Sequence, residues 1–529
     1  MASTLPTLCF HEIFQLLIDD QRTLHSCLLV NRHWCQSAVS YLWRKPFQYT
    51  DASYSSSVSL INSLLLCLPN EDKVRIGVKD IYTATFPYVN YLRHLDFMNL
   101  ARATSDWRSA NCVQASPQFV LQILCRHILN SDALLFDLQL DFDTSLDDYD
   151  WSEDDWCFFR FPGADRSLSQ LRTLNCFGAY DPILLLSASA LCTKIESIEV
   201  SLDTFGWTRY QRGELMVKAG AETLVALIAK QEKLERFLLQ DCPFRGFVID
   251  LSNIFNALRS AQGTLRHVQF STIDVQGYPL LDVLGQCNNL ESIVFSRCQN
   301  IGKCANKKPT TPYFPKLKTL TLDKTFVPVP TLRTFAANAG HSLEEVLLRD
   351  EGYQENWNAV QVFAVNNPNI KKFQVHGAIT ELPQILRMVK SWRKLESLSI
   401  MHTNDENEVD ELYEADYFIV DLGAAIPNTL EHLTIQLDLE FTAESLLRFF
   451  QNCQAPLKTL ELPATQCILD DHLRVISEYS PRSLEYLNII EATNITERAI
   501  RAARAVVPNI TCSFYLANNN LIYRGHVSS

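Results

Sequence analysis

The chain has 529 residues, 47 % of them apolar and 20 % charged, and its 47 Lys and Arg against 60 Asp and Glu give a formal net charge of −13. That composition is not one of a disordered chain, and the acidic balance argues against a protein built to neutralise phosphates, so no nucleic-acid partner is expected. The longest apolar runs fall far short of the roughly 18–20 residues that span a bilayer, and MASTLPTLCF lacks the basic start and apolar core of a secretory signal, so no membrane partner is expected either.

The 16 cysteines are scattered, with no CxxC, and the closest pair is Cys298 and Cys304. This removes the usual zinc and redox spacings and predicts small buried hydrophobes in a reducing compartment, cytosol or nucleus.

In residues 5–47, Phe10, Ile13, Phe14 and Leu17 form one helical stripe, Leu24, Cys27 and Leu28 a second, and Trp34, Ala38, Tyr41 and Leu42 a third. Three such short helices, assigned here to residues 1–48, have too small a core to stand alone. Residues 49–90, with SYSSSVSLINSLLLCL, read as a linker and a lead-in helix. HEIFQ at His11–Gln15 begins like a zinc-protease helix, but Gln15 stands where the second ligand histidine belongs.

Residues 91–516 carry one recurring pattern, apolar-x-x-apolar-x-apolar. Its onsets are Leu92, Leu135, Leu171, Ile195, Leu234, Leu265, Leu290, Leu317, Leu343, Ile370, Leu395, Leu430, Leu457 and Leu484. From Leu265 the intervals are 25, 27, 26, 27, 25, 35, 27 and 27 residues. From Leu290 on, a polar residue or proline precedes the onset and a charged one usually follows it. Such a period with LxxLxL is the leucine-rich-repeat signature: a short strand, then a helical return, each unit burying its leucines only against the next. The fold class is therefore α/β, a three-helix module followed by a solenoid of about fourteen repeats, with parallel strands on the concave face, helices on the convex face and a tail at 517–529. Two acidic stretches, Asp141 to Asp155 and Asp405 to Asp416, read as solvated insertions.

No GxGxxG, GxxxxGK[ST] or GxSxG occurs, and no His/Cys/Asp spacing suggests a metal, so no catalytic residue, metal or cofactor is assigned and the chain is not expected to be an enzyme. Strand alternation instead turns Arg236, Gln240, His267, Gln269, Arg349, Lys372, Gln374 and His376 outward. These make up the candidate substrate surface, and Arg349 to His376 reads as a basic patch suited to an acidic or phosphorylated segment.

LPTLCFHEIFQLL, LHSCLLVNRHW and YLWRKPF together resemble an F-box. Leu5-Pro6, Ile13, Phe14, Leu17, Leu24, Cys27, Val30, Trp34 and Leu42-Trp43 match that family in order and spacing, while Leu8 stands where Glu is commoner. The remainder is similar to the cysteine-containing repeats of F-box proteins, such as those of fungi: Leu484–Ile500 is close to their consensus, and Cys242 and Cys298 occupy the usual cysteine place. The resemblance implies the non-catalytic substrate receptor of a cullin-based (SCF-type) ubiquitin ligase. It also implies a Skp-type adaptor bound through Leu5, Pro6, Ile13, Phe14, Leu17, Leu28, Val30, Trp34 and Trp43, and a protein substrate on the repeats. The alternative is a protein-binding repeat scaffold outside ubiquitination.

Overall fold

All fourteen onset residues from Leu92 to Leu484 are buried, and a strand begins two residues after each of them. The computed structural model describes residues 6–47, 54–78, 82–142, 158–178, 182–202, 213–240, 251–275, 280–302, 314–349, 357–377, 382–402, 415–436, 440–462, 468–490, 495–515 and 521–523. The chain divides into two units, residues 1–265 and 266–529. The acidic residues 143–157 and 403–414, and Cys242, lie outside the described residues.

In the first unit the strands β1 (His94–Asp96), β2 (Asp137–Phe142), β3 (Thr173–Gly178), β4 (Ser197–Ser201) and β5 (Arg236–Gln240) pair in chain order, all parallel. The second unit continues the same plan with β6 (His267–Ser271), β7 (Ser292–Ser296), β8 (Thr319–Asp323), β9 (Glu345–Arg349) and β10 (Lys372–Gly377), followed by β11 (Ser397–His402), β12 (His432–Gln436), β13 (Thr459–Leu462), β14 (Tyr486–Ile490) and β15 (Asn509–Tyr515). A last strand, β16 (Leu521–Tyr523), joins β15 antiparallel. Strand β15 belongs to a repeat beyond the fourteen expected: Val507, Ile510 and Cys512 reproduce the apolar pattern, and Val507 is fully buried.

Strand alternation sends Leu320, Leu322, Leu398, Ile400, Leu433, Leu460 and Leu487 into the core. Helices return the chain between strands and pack on one another. Helix Ala415–Ala425 lies so close to helix Ala443–Asn452 that a Cβ on Gly423 would sit 2.5 Å from the Phe449 carbonyl oxygen.

Within each unit one backbone device stitches a parallel strand to the one before it. The carbonyl of the residue after an onset accepts two N–H groups, those of the next repeat's equivalent residue and of its first strand residue. Glu291 thus accepts from Lys318 at 2.8 Å and Thr319 at 3.0 Å, and Lys318 in turn from Glu344 and Glu345. The polar residue before the onset adds a second tie. Thr264 donates its hydroxyl to the Leu234 carbonyl, Ser342 to Leu317, Thr429 to Leu395 and Ser483 to Leu457, all at 2.7–2.9 Å.

The N-terminal module comprises α1 (Thr7–Leu16), α2 (Gln21–Leu28) and α3 (Arg32–Leu42). Asp20 and Asn31 cap α2 and α3 by accepting from the N–H groups of Thr23 and Trp34. Phe10, Phe14, Leu24, Cys27 and Ala38 form its core. The module is joined to the first repeat by the same stitch, because the Arg44 carbonyl accepts from Arg93 at 3.0 Å and His94 at 3.1 Å. Trp43 stacks on Tyr88 at 4.4 Å, and the Asn99 amide donates to the Phe47 carbonyl. The open edge of β1 is thereby covered. The expected lead-in helix runs from Tyr54 to Leu66, and its Asn62 accepts from the Trp107 indole at 2.7 Å.

The cysteines behave as apolar side chains: six are buried, and burial pushes the Cys298 thiol up to about 12 while it donates to the Phe270 carbonyl. Among the described residues no helix is long and apolar enough to cross a membrane.

Leu460→Ala is expected to cost about 2–5 kcal/mol through the cavity it leaves. Thr459→Ala, on the outward side, should cost under about 1 kcal/mol for its bond to His432. Denaturant melts of the full chain check the register; equal losses at the two positions would refute it.

Candidate functional site

Two surfaces are open to partners. The first is on the N-terminal module, which has more large apolar side chains than its core can take. Leu8 is 78 % exposed, Leu16 88 %, Leu29 76 %, Val30 55 % and Ile13 38 %. Pro6 is exposed at the start of α1.

The module's expected contact residues divide between surface and core. Ile13, Val30 and Pro6 are on the surface, while Leu17 and Leu28 are half-buried against the core. Leu5 lies outside the described residues. Phe14 must be corrected: it is fully buried, stacked on Phe10 at 5.7 Å, and has no surface to offer a partner. Trp34 is half-buried, edge-on to Phe10 and Phe14, and serves mainly as core. Trp43 is half-buried, with one face of its ring against Tyr88. The most exposed residues, Leu8, Leu16 and Leu29, were missed because they fall off the helical stripes. A leucine off the stripe of a short helix was the available signal.

The second surface is the outward side of the sheet, where all eight expected residues lie. In the first unit Arg236 is exposed and Gln240 half-buried; in the second, His267, Gln269, Gln374 and His376 are half-buried, and Arg349 and Lys372 exposed. The basic patch from Arg349 to His376 is a correction. Parallel register sets Arg349 opposite Asp323 and Lys372 opposite Glu345, so each cation has a carboxylate on the preceding strand. Sequence inspection picked out the cations, but only the register shows what stands beside them.

The other polar groups of this face are tied strand to strand. Arg349 donates to Gln374, Gln374 to the Met401 sulfur, Ser296 to Asp323 and Gln436 to Glu461, while His432 shares a hydrogen bond with Thr459. The outward strand residues carry Asp137, Asp141 and Glu199 against Arg236 in the first unit and Asp323, Glu345 and Glu461 against Arg349 and Lys372 in the second, so they are acidic on balance and rich in hydroxyl and amide groups.

A charged spine runs along the strand starts of the second unit, at the residue after each onset: Arg266, Glu291, Lys318, Glu344, Lys371, Glu396, Glu431, Lys458 and Glu485. Glu291 accepts from both Arg266 and Lys318 at 2.7 Å; Lys371 reaches Glu344 at 2.9 Å and Lys458 reaches Glu431 at 2.7 Å. Hydrogen bonds from Lys318 and then Arg266 hold the Glu291 carboxyl below its usual range, and Lys458 does the same for Glu431.

No protein-family model and no curated protein matches the chain. Among solved structures, the leucine-rich repeat-containing protein LegL7 from Legionella pneumophila is 13 % identical with a TM-score of 0.33, the match covering 66 % of this chain and 91 % of that one. A chain of the yeast Rad7 and Elc1 complex is 13 % identical with a TM-score of 0.39, covering 85 % of this chain and 92 % of that one. By its own period, register and layering, each unit here is a leucine-rich-repeat solenoid.

Depressed carboxylate pKa values add stability above the unfolded-state value and lose it as pH falls through the folded one. Melting temperature should therefore drop on going from pH 5 to pH 3. Because the pairs are solvent-accessible, Glu291→Gln should cost only about 0.5–1 kcal/mol at pH 7 and less at pH 3. A pH series of thermal melts on the two proteins checks this; an unchanged difference at pH 3 would exclude the ion pairs as its source.

Proposed function

We propose that this chain is the substrate-receptor subunit of a cullin-based ubiquitin ligase, docking a Skp-type adaptor through its N-terminal module and a protein substrate through its repeats. The observation that supports it is the pairing of two features in one small module. It leaves Leu8, Leu16, Leu29 and Val30 exposed, an apolar surface of the kind partners cover. It is also joined to the first strand through Arg44, so whatever binds the module is held at a fixed place relative to that repeat. A receptor of this kind does no covalent chemistry; it contributes local concentration and orientation. The outward face of the strands is the proposed substrate surface, and the cytosol or nucleus is the compartment that goes with this reading.

The test is co-purification of the full chain with a Skp-type adaptor. Leu8→Asp with Leu16→Asp should weaken binding at least tenfold without lowering the melting temperature, because both side chains are already in water. Phe14→Ala should instead cost about 3–5 kcal/mol of module stability. Full-strength binding by the double variant and after deletion of residues 1–47 would sink this reading and leave a scaffold outside ubiquitination.

A further inference from the structure

The cations of the charged spine are paired; several others in the second unit are not, and four of these cluster. Arg387, Lys390, Arg393 and Lys394 fall within eight residues, all are exposed, and none forms an ion pair or side-chain hydrogen bond with a described residue. Arg387 is in the last turn of helix Leu382–Val389 and the other three follow its end, on the side of the unit where the strands begin. No described residue of the flanking repeats forms an ion pair with them. The preceding one presents Asn366 and Asn369 at this edge, and the following one Asn428 and Thr429. The nearest carboxylate in the chain, Glu396, sits on the spine, where it acts on Lys371.

The base of this patch is fixed. Between the cations, Trp392 is fully buried and packs on Phe373 at 4.5 Å. The N–H groups of Ser391 and Trp392 close the turn onto Met388 and Val389, the Ser391 hydroxyl donates to Met388 at 2.6 Å, and the Arg393 carbonyl accepts from Thr429 of the next repeat. A helix C-terminus favours nearby cations, which accounts for Arg387 and Lys390. Arg393 and Lys394 lie beyond its last turn, and they convert a helix end into a patch.

We propose that Arg387, Lys390, Arg393 and Lys394 form a docking site for a carboxylate-rich segment of a partner protein, separate from both the adaptor surface and the sheet face. Carboxylates on alternate residues of an extended segment recur about every 7 Å, so one such segment can present more than one of them to clustered cations. A nucleic acid suits it poorly, since its charges continue past a four-residue patch into the field of a chain of net charge −13.

The test is fluorescence anisotropy of a labelled ten-residue polyglutamate peptide with the full chain at low salt. Arg393→Glu with Lys394→Glu should weaken binding at least tenfold, and added salt should weaken binding to the parent. A control with the same charge change elsewhere, Lys230→Glu with Arg259→Glu, should bind as the parent does. If the first pair lowers the melting temperature, Arg387→Gln with Lys390→Gln reads the same site. Absence of binding by the parent, equal loss in the control, or equally tight binding of a ten-nucleotide single-stranded DNA overturns the proposal. Adaptor co-purification should be untouched by every one of these variants, so this inference and the receptor reading can fail separately.

Discussion

The structure depends on one repeated backbone interaction: a single carbonyl at the start of each strand takes two N–H groups from the next. A buried leucine array alone leaves the stacking register loose, because apolar contact is non-directional. The paired N–H groups fix that register to one residue, and a slip of one would turn every onset leucine outward. The device tolerates variation in side chain but not loss of the N–H. The last joint shows this. Pro508 occupies the position after the Val507 onset and has no N–H to give, so Glu485 takes one bond from the Asn509 backbone and the second from the Asn509 side-chain amide.

The same interaction explains which parts of the fold were legible in the sequence. Onset residues such as Leu290 and Leu317 must be apolar and must recur at the repeat period, so the period exposes them directly. Val507 escaped because proline replaces the charged neighbour and Cys512 ends the pattern. Inward residues such as Leu460 followed from alternation. Partners across strands did not, because register is a property of two segments at once. Arg349 is unambiguous as an outward cation in the sequence, yet its apposition to Asp323 is set by how β8 and β9 align. The module shows the complementary limit. Helical periodicity put Phe10, Ile13 and Phe14 on one apolar stripe, but it does not separate residues buried within the module, such as Phe14, from those left on its surface, such as Ile13. Leu8 and Leu16, left outside that core, carry no periodic signal.

Charge is distributed by position along the repeat. At the residue after the onset, neighbours lie one strand spacing apart, about 5 Å, close enough that opposite signs on successive repeats pair. Alternation from Arg266 to Lys371 meets this condition, and like charges meet at Glu396 and Glu431, where the chain compensates by pairing Glu431 forward with Lys458. The positions before the onset obey a different constraint. There the useful group is a hydroxyl that can reach the preceding onset carbonyl, as at Ser342 and Thr429. Lysine fills this position at Lys194, Lys233, Lys316 and Lys394; Lys194 and Lys316 reach back to Gln170 and Asn289 of the preceding repeat, whereas Lys394 has no such partner among the described residues.

The stitch at Arg44 has a further consequence for cooperativity. An N-terminal module tethered by a loop alone could unfold without loosening the repeats. Here the Arg44 carbonyl satisfies two N–H groups at the edge of β1, and Trp43, Phe47 and Asn99 close the same seam. Unfolding the module would therefore strand buried backbone donors on the first repeat, at a cost of about 1–3 kcal/mol each. Conversely, a partner that binds only the folded module raises the stability of that edge by mass action. The small core of Phe10, Phe14, Leu24, Cys27 and Ala38 need not stand alone, because the solenoid's first strand and any partner on Leu8 and Leu16 stabilise it from opposite directions.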